Sequence, residues 1–172
     1  MRWLARAPAG ATLLDLACGS GRHARAARAC GLEVTAVDRD ADALAGLASP
    51  GIETRLADLE GAAWPLAGRR FDIVLVTHYL HRPLFDAIVD SVAPDGLLIY
   101  ETFADGQQVY GRPHRAEFLL QAGELLRRVD GLRVLGFEDG VADGNHGVMR
   151  VQRIAATRLG SEPRTALECW GL

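Results

Sequence analysis

A glycine-containing turn between an apolar run and an alanine-rich segment constrains the fold of this chain most strongly. Residues 12–17 (TLLDLA) predict a buried strand, CGSG predicts a tight turn, and residues 22–30 (RHARAARAC) predict a helix. Such a turn leaves backbone N–H groups open at a helix N-terminus, where polar or anionic ligand groups bind. Glycines there permit close approach of a ligand to the backbone. The sequence therefore predicts a strand–turn–helix ligand site.

The rest of the chain alternates short apolar runs with helical patterns, which is typical of βαβ units and a mostly parallel sheet. The predicted strands cover residues 33–37, 52–57, 71–76 and 97–100, and the predicted helices cover 41–48, 84–92 and a segment ending near 129. The tail differs, because the runs 132–137 and 148–157 are joined by EDGVADGNHG without a helix. These two runs predict an antiparallel hairpin. We interpret residues 1–172 as one domain.

Composition excludes several classes of protein. All 19 basic residues are arginine, so a lysine Schiff base and a P-loop lysine are both impossible. The net charge of −3 disfavours a nucleic-acid binder. The apolar runs are far shorter than the ~20 residues of a membrane span, and no basic segment precedes an apolar one, so we expect no membrane association and a cytoplasmic location. Cys18, Cys30 and Cys169 form no CxxC pair and predict neither disulfides nor a zinc site.

Two acidic residues distinguish between two interpretations of the turn. Asp38 ends the second predicted strand, where a carboxylate can accept both hydrogen bonds from a ribose diol. The run GSGRHA also satisfies the dinucleotide fingerprint G-x-G-x-x-G/A, which would indicate a nicotinamide oxidoreductase. Asp15, however, precedes the turn, and its carboxylate would repel a pyrophosphate and attract a cation. The residues favour a phosphate-free nucleoside with a positively charged amino-acid end, such as S-adenosylmethionine.

From residue 13 to about residue 158 the chain resembles the class I S-adenosylmethionine-dependent methyltransferases. Their first motif, D/E-x-G/A-x-G-x-G, is matched by Asp15, Ala17, Gly19 and Gly21, with Ala17 in place of the commonest glycine. GSGRHA followed by AVDRD is similar to the small tellurite-resistance-like and generic methyltransferase-domain members. The resemblance implies a methyltransferase with a Rossmann-like, seven-stranded, mostly parallel sheet, helices on both faces and an antiparallel strand in the C-terminal hairpin.

The resemblance also implies which residues bind the cofactor. In this family the acid after the second strand holds the ribose, an Asp after the third contacts the adenine amine, and the segment after the fourth lines the methionine end. The implied positions are Asp15, Ala17, Cys18, Gly19, Gly21 and Arg22 in the first turn, Asp38 and Arg39, Asp58 and Leu59, and Thr77 and His78.

Candidate catalytic residues follow the fourth and fifth strands. His78 is the leading candidate for a general base, because imidazole titrates near neutral pH, with a purely structural role as the alternative. Glu101 is a second candidate, as a base or a substrate anchor, and His81 is a third. His78 and His81 form HxxH without a third ligand, so we predict no metal site. In the loop 102–114, Arg112 is a candidate to recognise an anionic acceptor or else a solvated surface residue.

The acceptor is the least constrained part of the prediction. Mild acidity and the lack of a predicted second domain favour a small molecule, with a protein or RNA acceptor as the alternative. A third interpretation is a binding-only module in a complex, for which the run ALECWGL at 166–172 offers an apolar surface. Trp3 and Leu4 are candidates to pack over the cofactor cleft. The sequence leaves the oligomeric state open.

Overall fold

Apolar runs along the chain assemble into a seven-stranded sheet in the computed structural model, which describes residues 7–144 and 147–160. The strands are β1 (Thr12–Leu16), β2 (Glu33–Asp38), β3 (Ile52–Leu56), β4 (Phe71–Thr77), β5 (Val92–Phe103), β6 (Arg133–Gly144) and β7 (Gly147–Thr157). Their order in the sheet is β3-β2-β1-β4-β5-β7-β6. Strands β1 to β5 pair in parallel, whereas β7 runs antiparallel to both β5 and β6. The predicted fold class is confirmed.

Helices cover both faces of the sheet. The four α-helices of the described ranges are α1 (Arg22–Ala29), α2 (Ala41–Ala45), α3 (Phe85–Asp90) and α4 (Glu124–Arg128). Successive side chains of a strand point to opposite faces. Leu13 therefore packs in a core with Ala24 of α1, whereas Leu14 packs in the opposite core with Phe85 of α3 and Leu125 of α4.

Two predicted boundaries are wrong at the C-terminal half of the sheet. The segment Pro94-Asp95-Gly96, predicted as a turn, lies within β5 beside a register shift between Phe71 and Ile73, and Asp95 takes a positive φ of 61°. Thr102 and Phe103 also continue β5, although the sequence predicts a loop from residue 102. Thr102 and Phe103 pair with β7, and Asp95 and Gly96 exchange backbone hydrogen bonds with Arg158 directly after β7. These inter-strand hydrogen bonds outweigh weak local propensity.

The hairpin and the helices differ from their predicted lengths. Most of the decapeptide 138–147 belongs to β6, which pairs with β7 from Arg133 to Gly144 despite its glycines and aspartates. The helix predicted to end near residue 129 is the single short α4, and α3 is preceded by a 3-10 turn at Arg82–Leu84. Glycine and aspartate are poor strand formers alone, so only the neighbouring strand determines this conformation.

The topology brings one edge of the sheet into position for ligand binding. Because the first five strands are parallel, their carboxyl ends meet at one edge, and chain order reverses between β1 and β4. Among the described residues, no helix combines the length and the apolar character needed to cross a membrane. The candidate positions Trp3, Leu4, Cys169 and 166–172 lie outside the described residues.

Candidate active site

Three residues of the turn after β1 adopt the left-handed backbone conformation. Ala17, Gly19 and Gly21 have φ values of 54°, 52° and 76°. At Gly21, the N-cap residue of α1, a Cβ would come within 2.5 Å of the Leu47 side chain, so both the conformation and the packing require glycine. At Gly19 a Cβ would meet nothing within 4 Å, so only the left-handed conformation of this residue favours glycine. Ala17 holds the left-handed conformation at a cost of roughly 1 kcal/mol.

The carboxylate of Asp38 ties this turn to the end of β2. Its Oδ2 accepts a hydrogen bond from the Gly19 N–H at 2.7 Å, and its Oδ1 accepts one from the Asp40 N–H at 3.0 Å. The Asp40 side chain in turn accepts hydrogen bonds from the first amides of α2. Each carboxylate oxygen has a second lone-pair direction open to a ligand hydroxyl. The position of Asp38 is thus fixed by backbone groups on both sides.

A cleft of about 180 Å³ opens beside Asp38 at the carboxyl edge of the sheet. Its lining residues are Ala17, Asp38, Arg39, Ala57, Asp58, Leu59, Glu60 and Tyr79. The structure therefore brings together the predicted residues of the first, second and third strand ends. Ala57, Glu60 and Tyr79 complete the cleft and were not predicted as site residues.

Tyr79 is the residue of this cleft that sequence reasoning missed most clearly. Its hydroxyl is buried and has no hydrogen-bond partner among the described residues. Burial, together with the carboxylates of Glu60 and Asp58, raises its pKa, so the hydroxyl stays protonated and can donate. Its backbone carbonyl accepts a hydrogen bond from the Tyr100 hydroxyl at 3.0 Å, which fixes the segment. In the sequence, the one indication of a role for Tyr79 is its position directly after His78, a predicted site residue.

Asp15 lies beneath the turn and does not line the cleft wall. The side chain is 1% exposed, and neither carboxylate oxygen has a hydrogen-bond partner within the described chain. Burial, reinforced by the nearby charge of Asp38, raises the pKa of Asp15 to about 7, although the Ala24 amide and Arg22 oppose the shift. A cation bound above the turn would favour the ionised form of the Asp15 carboxyl group.

A second group of side chains surrounds His78. Its Nε2 lies 3.3 Å from Oε1 of Glu101, and its ring stacks on Phe103 with centroids 4.8 Å apart. The other oxygen of Glu101 pairs with Arg153 of β7. The hydrogen bond from His78 and the charge of Arg153 lower the pKa of Glu101 despite its partial burial, so this carboxylate stays ionised at neutral pH. His78 itself has a positive φ of 53°.

Thr77 and His23 extend this group toward α1. The Thr77 hydroxyl lies 3.2 Å from Nδ1 of His23. Burial and the charge of Arg22 lower the pKa of His23, although the Glu101 carboxylate opposes the shift, so its ring is neutral at pH 7. His23 was not predicted as a site residue. Its position in the first turn of α1, close after the glycines, is the signal that could have indicated it.

A second cavity, of about 370 Å³, adjoins the cleft. It is lined by Glu60, His78, Tyr79, Leu80, Thr102, Phe103, Arg112, Pro113 and Phe118. Glu60 and Tyr79 border both spaces, so the two cavities share a wall. We refer to the larger one as the acceptor cavity.

Four further candidates lie outside both cavities. Glu101 lies behind His78, and His81 precedes the 3-10 turn without lining either space. Cys18 is partly buried, and burial with the charges of Asp15 and Asp38 raises its pKa to about 12, so it stays a thiol. Arg22 is exposed and influences Asp15 through its charge. Within residues 7–144 and 147–160, no cluster of three or more His, Cys, Asp or Glu side chains could hold a metal.

Comparison with known proteins places this geometry in a family. A family model described as a methyltransferase domain matches residues 1–135. The fold is similar to TehB from Haemophilus influenzae, at 19% identity and a TM-score of 0.71 over 87% of this chain and 58% of TehB. It is also similar to an S-adenosylmethionine-dependent methyltransferase from Mesorhizobium loti, at 20% identity and a TM-score of 0.68 over 90% of this chain and 94% of that one. A search of the curated proteins gives no match.

Fold and family model together define a methyltransferase domain. The chain belongs to the methyltransferase-domain family, and the predicted resemblance is confirmed. The family implies S-adenosylmethionine as the methyl donor.

We predict that Asp15→Asn removes a pH dependence of stability. The folded protein holds a proton on Asp15 that the unfolded chain loses above about pH 4, so stability falls between about pH 4 and 7, by at most about 1.4 kcal/mol per pH unit. Urea denaturation without ligand should show this slope in the wild type and in an Asp42→Asn control. It should be reduced in Asp15→Asn, which should be the more stable protein at pH 8. Equal slopes in all three would contradict the burial argument.

We predict that Ala17→Gly stabilises the protein by about 0.5–1 kcal/mol, because glycine adopts a φ of 54° without strain. Ala57→Gly is the matched control, since Ala57 lines the same cleft without a positive φ. That variant should lose stability, because glycine adds freedom only to the unfolded chain. Thermal melts of both variants test the prediction, and a destabilised Ala17→Gly would refute it.

Proposed function

We propose that this enzyme binds S-adenosylmethionine in the cleft beside Asp38 and transfers its methyl group to a small molecule in the acceptor cavity. The observation that carries the proposal is the shared wall of the two cavities, formed by Glu60 and Tyr79. A methyl donor and an acceptor bound on either side of this wall meet at the segment after β4. Direct transfer requires such proximity.

The polar groups of the cleft fit the nucleoside part of the donor. Asp38, fixed by two backbone amides, is placed to accept hydrogen bonds from the ribose diol. Asp58 and Leu59 border the position expected for adenine, and the unpartnered Tyr79 hydroxyl is available to a polar atom of the same group. A buried polar atom without a partner costs free energy, which a ligand hydrogen bond would recover.

The charge of the cleft fits the cationic part. Asp38, Asp58 and Glu60 line it against the single cation of Arg39, and Asp15 lies just below. This excess of carboxylates favours an ammonium and a sulfonium, and it opposes the pyrophosphate of a dinucleotide. The electrostatics therefore support S-adenosylmethionine over a nicotinamide cofactor.

The bound donor supplies an activated methyl group for in-line displacement, so the enzyme has to align the acceptor and take up its proton. We assign the proton uptake to His78, which lines the acceptor cavity. The ionised Glu101 accepts the hydrogen bond from Nε2–H of the His78 ring. Nδ1 is therefore the basic atom of the ring, and it has no hydrogen-bond partner among the described residues. Glu101 is a positioning residue, itself oriented by Arg153. As the acceptor is methylated, its O–H or N–H bond breaks and the proton moves to Nδ1.

The acceptor cavity supports a small molecule as the substrate. A volume of about 370 Å³ lies in the range of small-molecule sites. The cavity is bordered by β5 and by the loop that carries Arg112 and Phe118. The reacting atom would therefore lie inside a cavity and not on a flat protein surface.

We predict that S-adenosylhomocysteine binds the wild type in isothermal titration calorimetry and that Asp38→Ala weakens this binding by at least about tenfold, through loss of charge-assisted hydrogen bonds. Asp42→Ala, which removes an exposed carboxylate outside the cleft, is the control and should bind like the wild type.

Because Asp38 also orders the turn, Asp38→Asn provides a second comparison that keeps one oxygen acceptor and the side-chain shape. It should bind more weakly than the wild type and more tightly than Asp38→Ala. Unchanged affinity in both variants, or tighter binding of NADH than of S-adenosylhomocysteine, would reject the proposal.

We predict that neutral His78 carries its proton on Nε2, because the Glu101 carboxylate accepts that hydrogen bond. Nitrogen-15 NMR of the histidine side chains should show this tautomer in the wild type and lose the preference in Glu101→Gln. His78→Gln should leave S-adenosylhomocysteine affinity within about threefold and lower turnover of an accepted substrate by about 100-fold. An Nδ1–H tautomer, or an unchanged rate, would remove His78 from the proposed role.

A further inference from the structure

The walls of the acceptor cavity are mostly aromatic and apolar. Tyr79, Phe103 and Phe118 contribute rings, and Leu80 and Pro113 contribute aliphatic surface. Such walls favour a flat, apolar body in the ligand. The polar groups in the cavity then determine the orientation of the ligand.

Arg112 differs from four other arginines of the surrounding elements. Within the described ranges its guanidinium makes no ion pair and no hydrogen bond, whereas each of these four has a carboxylate partner. The paired arginines are Arg82 with Glu124, Arg115 with Glu117, Arg150 with Asp139, and Arg153 with Glu101. Arg112 is also the arginine that lines the acceptor cavity. The cavity therefore holds one cation whose charge is not neutralised by the protein.

The backbone at Arg112 is held in place even though the side chain is exposed. Its carbonyl accepts a hydrogen bond from Nε2 of Gln107 at 3.1 Å. Gln107 is 3% exposed, and its Oε1 accepts the backbone N–H of Arg150 in β7 at 2.7 Å. The segment that presents the guanidinium is thus anchored to the sheet, which lowers the entropic cost of using Arg112 for binding.

Charges at the two ends of the cavity differ in sign. Glu60 borders the side shared with the cofactor cleft, and Arg112 belongs to the loop side. An anionic group is repelled from Glu60 and attracted to Arg112, so the opposite end of the ligand is directed to His78. Arginine binds carboxylates and phosphates through two parallel hydrogen bonds, which also fixes their orientation.

We propose that the acceptor is a small aromatic or similarly flat anion. Its carboxylate or phosphate binds Arg112, and a hydroxyl or amine at its other end is the atom methylated beside His78. This proposal rests on the proposed function, since it specifies the substrate class for the same cavity.

The test uses three probes on the protein saturated with S-adenosylhomocysteine: 4-hydroxybenzoate, 4-hydroxyphenyl phosphate and the neutral 4-hydroxybenzamide. NMR titration should show that at least one of the two anions binds more tightly than the amide, by a factor of about ten or more. The anion that binds more tightly distinguishes a carboxylate from a phosphate acceptor. In Arg112→Gln the preference for the anion should fall to within about twofold, and Arg112→Lys should retain part of it.

Arg115→Gln is the matched control, because Arg115 lies in the same loop but is paired with Glu117 and does not line the cavity. It should keep the preference of the wild type. Equal binding of anions and amide, no saturable binding of any probe, or an unchanged preference in Arg112→Gln would overturn the proposal. These results leave the proposed function intact if S-adenosylhomocysteine binds, whereas failure of S-adenosylhomocysteine to bind overturns both.

Discussion

The hydrogen bond from the Gly19 amide to Asp38 is the contact on which the site depends. At 2.7 Å it joins the turn after β1 to the end of β2, two strands that already pair in parallel up to Leu16 and Val37. The Cys18 amide extends this pairing by donating to the Val37 carbonyl at 3.1 Å. The left-handed backbone at Ala17, Gly19 and Gly21 turns the chain into α1. The proposed ribose-binding position and the cleft wall are consequences of this one junction.

Conformational strain and unsatisfied polar atoms concentrate around the same junction. Ala17 and His78 have a positive φ without being glycine, and the Asp15 carboxylate and the Tyr79 hydroxyl are buried without hydrogen-bond partners in the described chain. Each of these features destabilises the ligand-free fold, and each is expected where binding or catalysis requires it. The cores on the two faces of the sheet, built around α1 and α3, offset these costs. The sheet and its two cores therefore stabilise the protein, and the proposed site lies along the carboxyl edge of the sheet.

The parts of the site that sequence alone predicted are those set by local rules. The turn and Asp38 follow directly from strand ends, and a parallel sheet necessarily brings strand ends together. Asp58 was implied by the family resemblance. The pairing of Glu101 with Arg153 was not predictable, because these residues are 52 positions apart and their contact depends on the register of β5 against β7. Tyr79 was missed for a related reason, since nothing in its neighbours shows that its hydroxyl is buried. The length of β6 also depends on its partner strand, since the glycines and aspartates in its second half are poor strand formers.

The most direct measurement is a crystal structure of the enzyme with S-adenosylmethionine. In that structure we expect the ribose hydroxyls on the Asp38 carboxylate, the purine between Asp58 and Tyr79, and the methyl carbon directed past Tyr79 into the acceptor cavity. A donor bound elsewhere, or one whose methyl group points away from His78, would contradict this expectation.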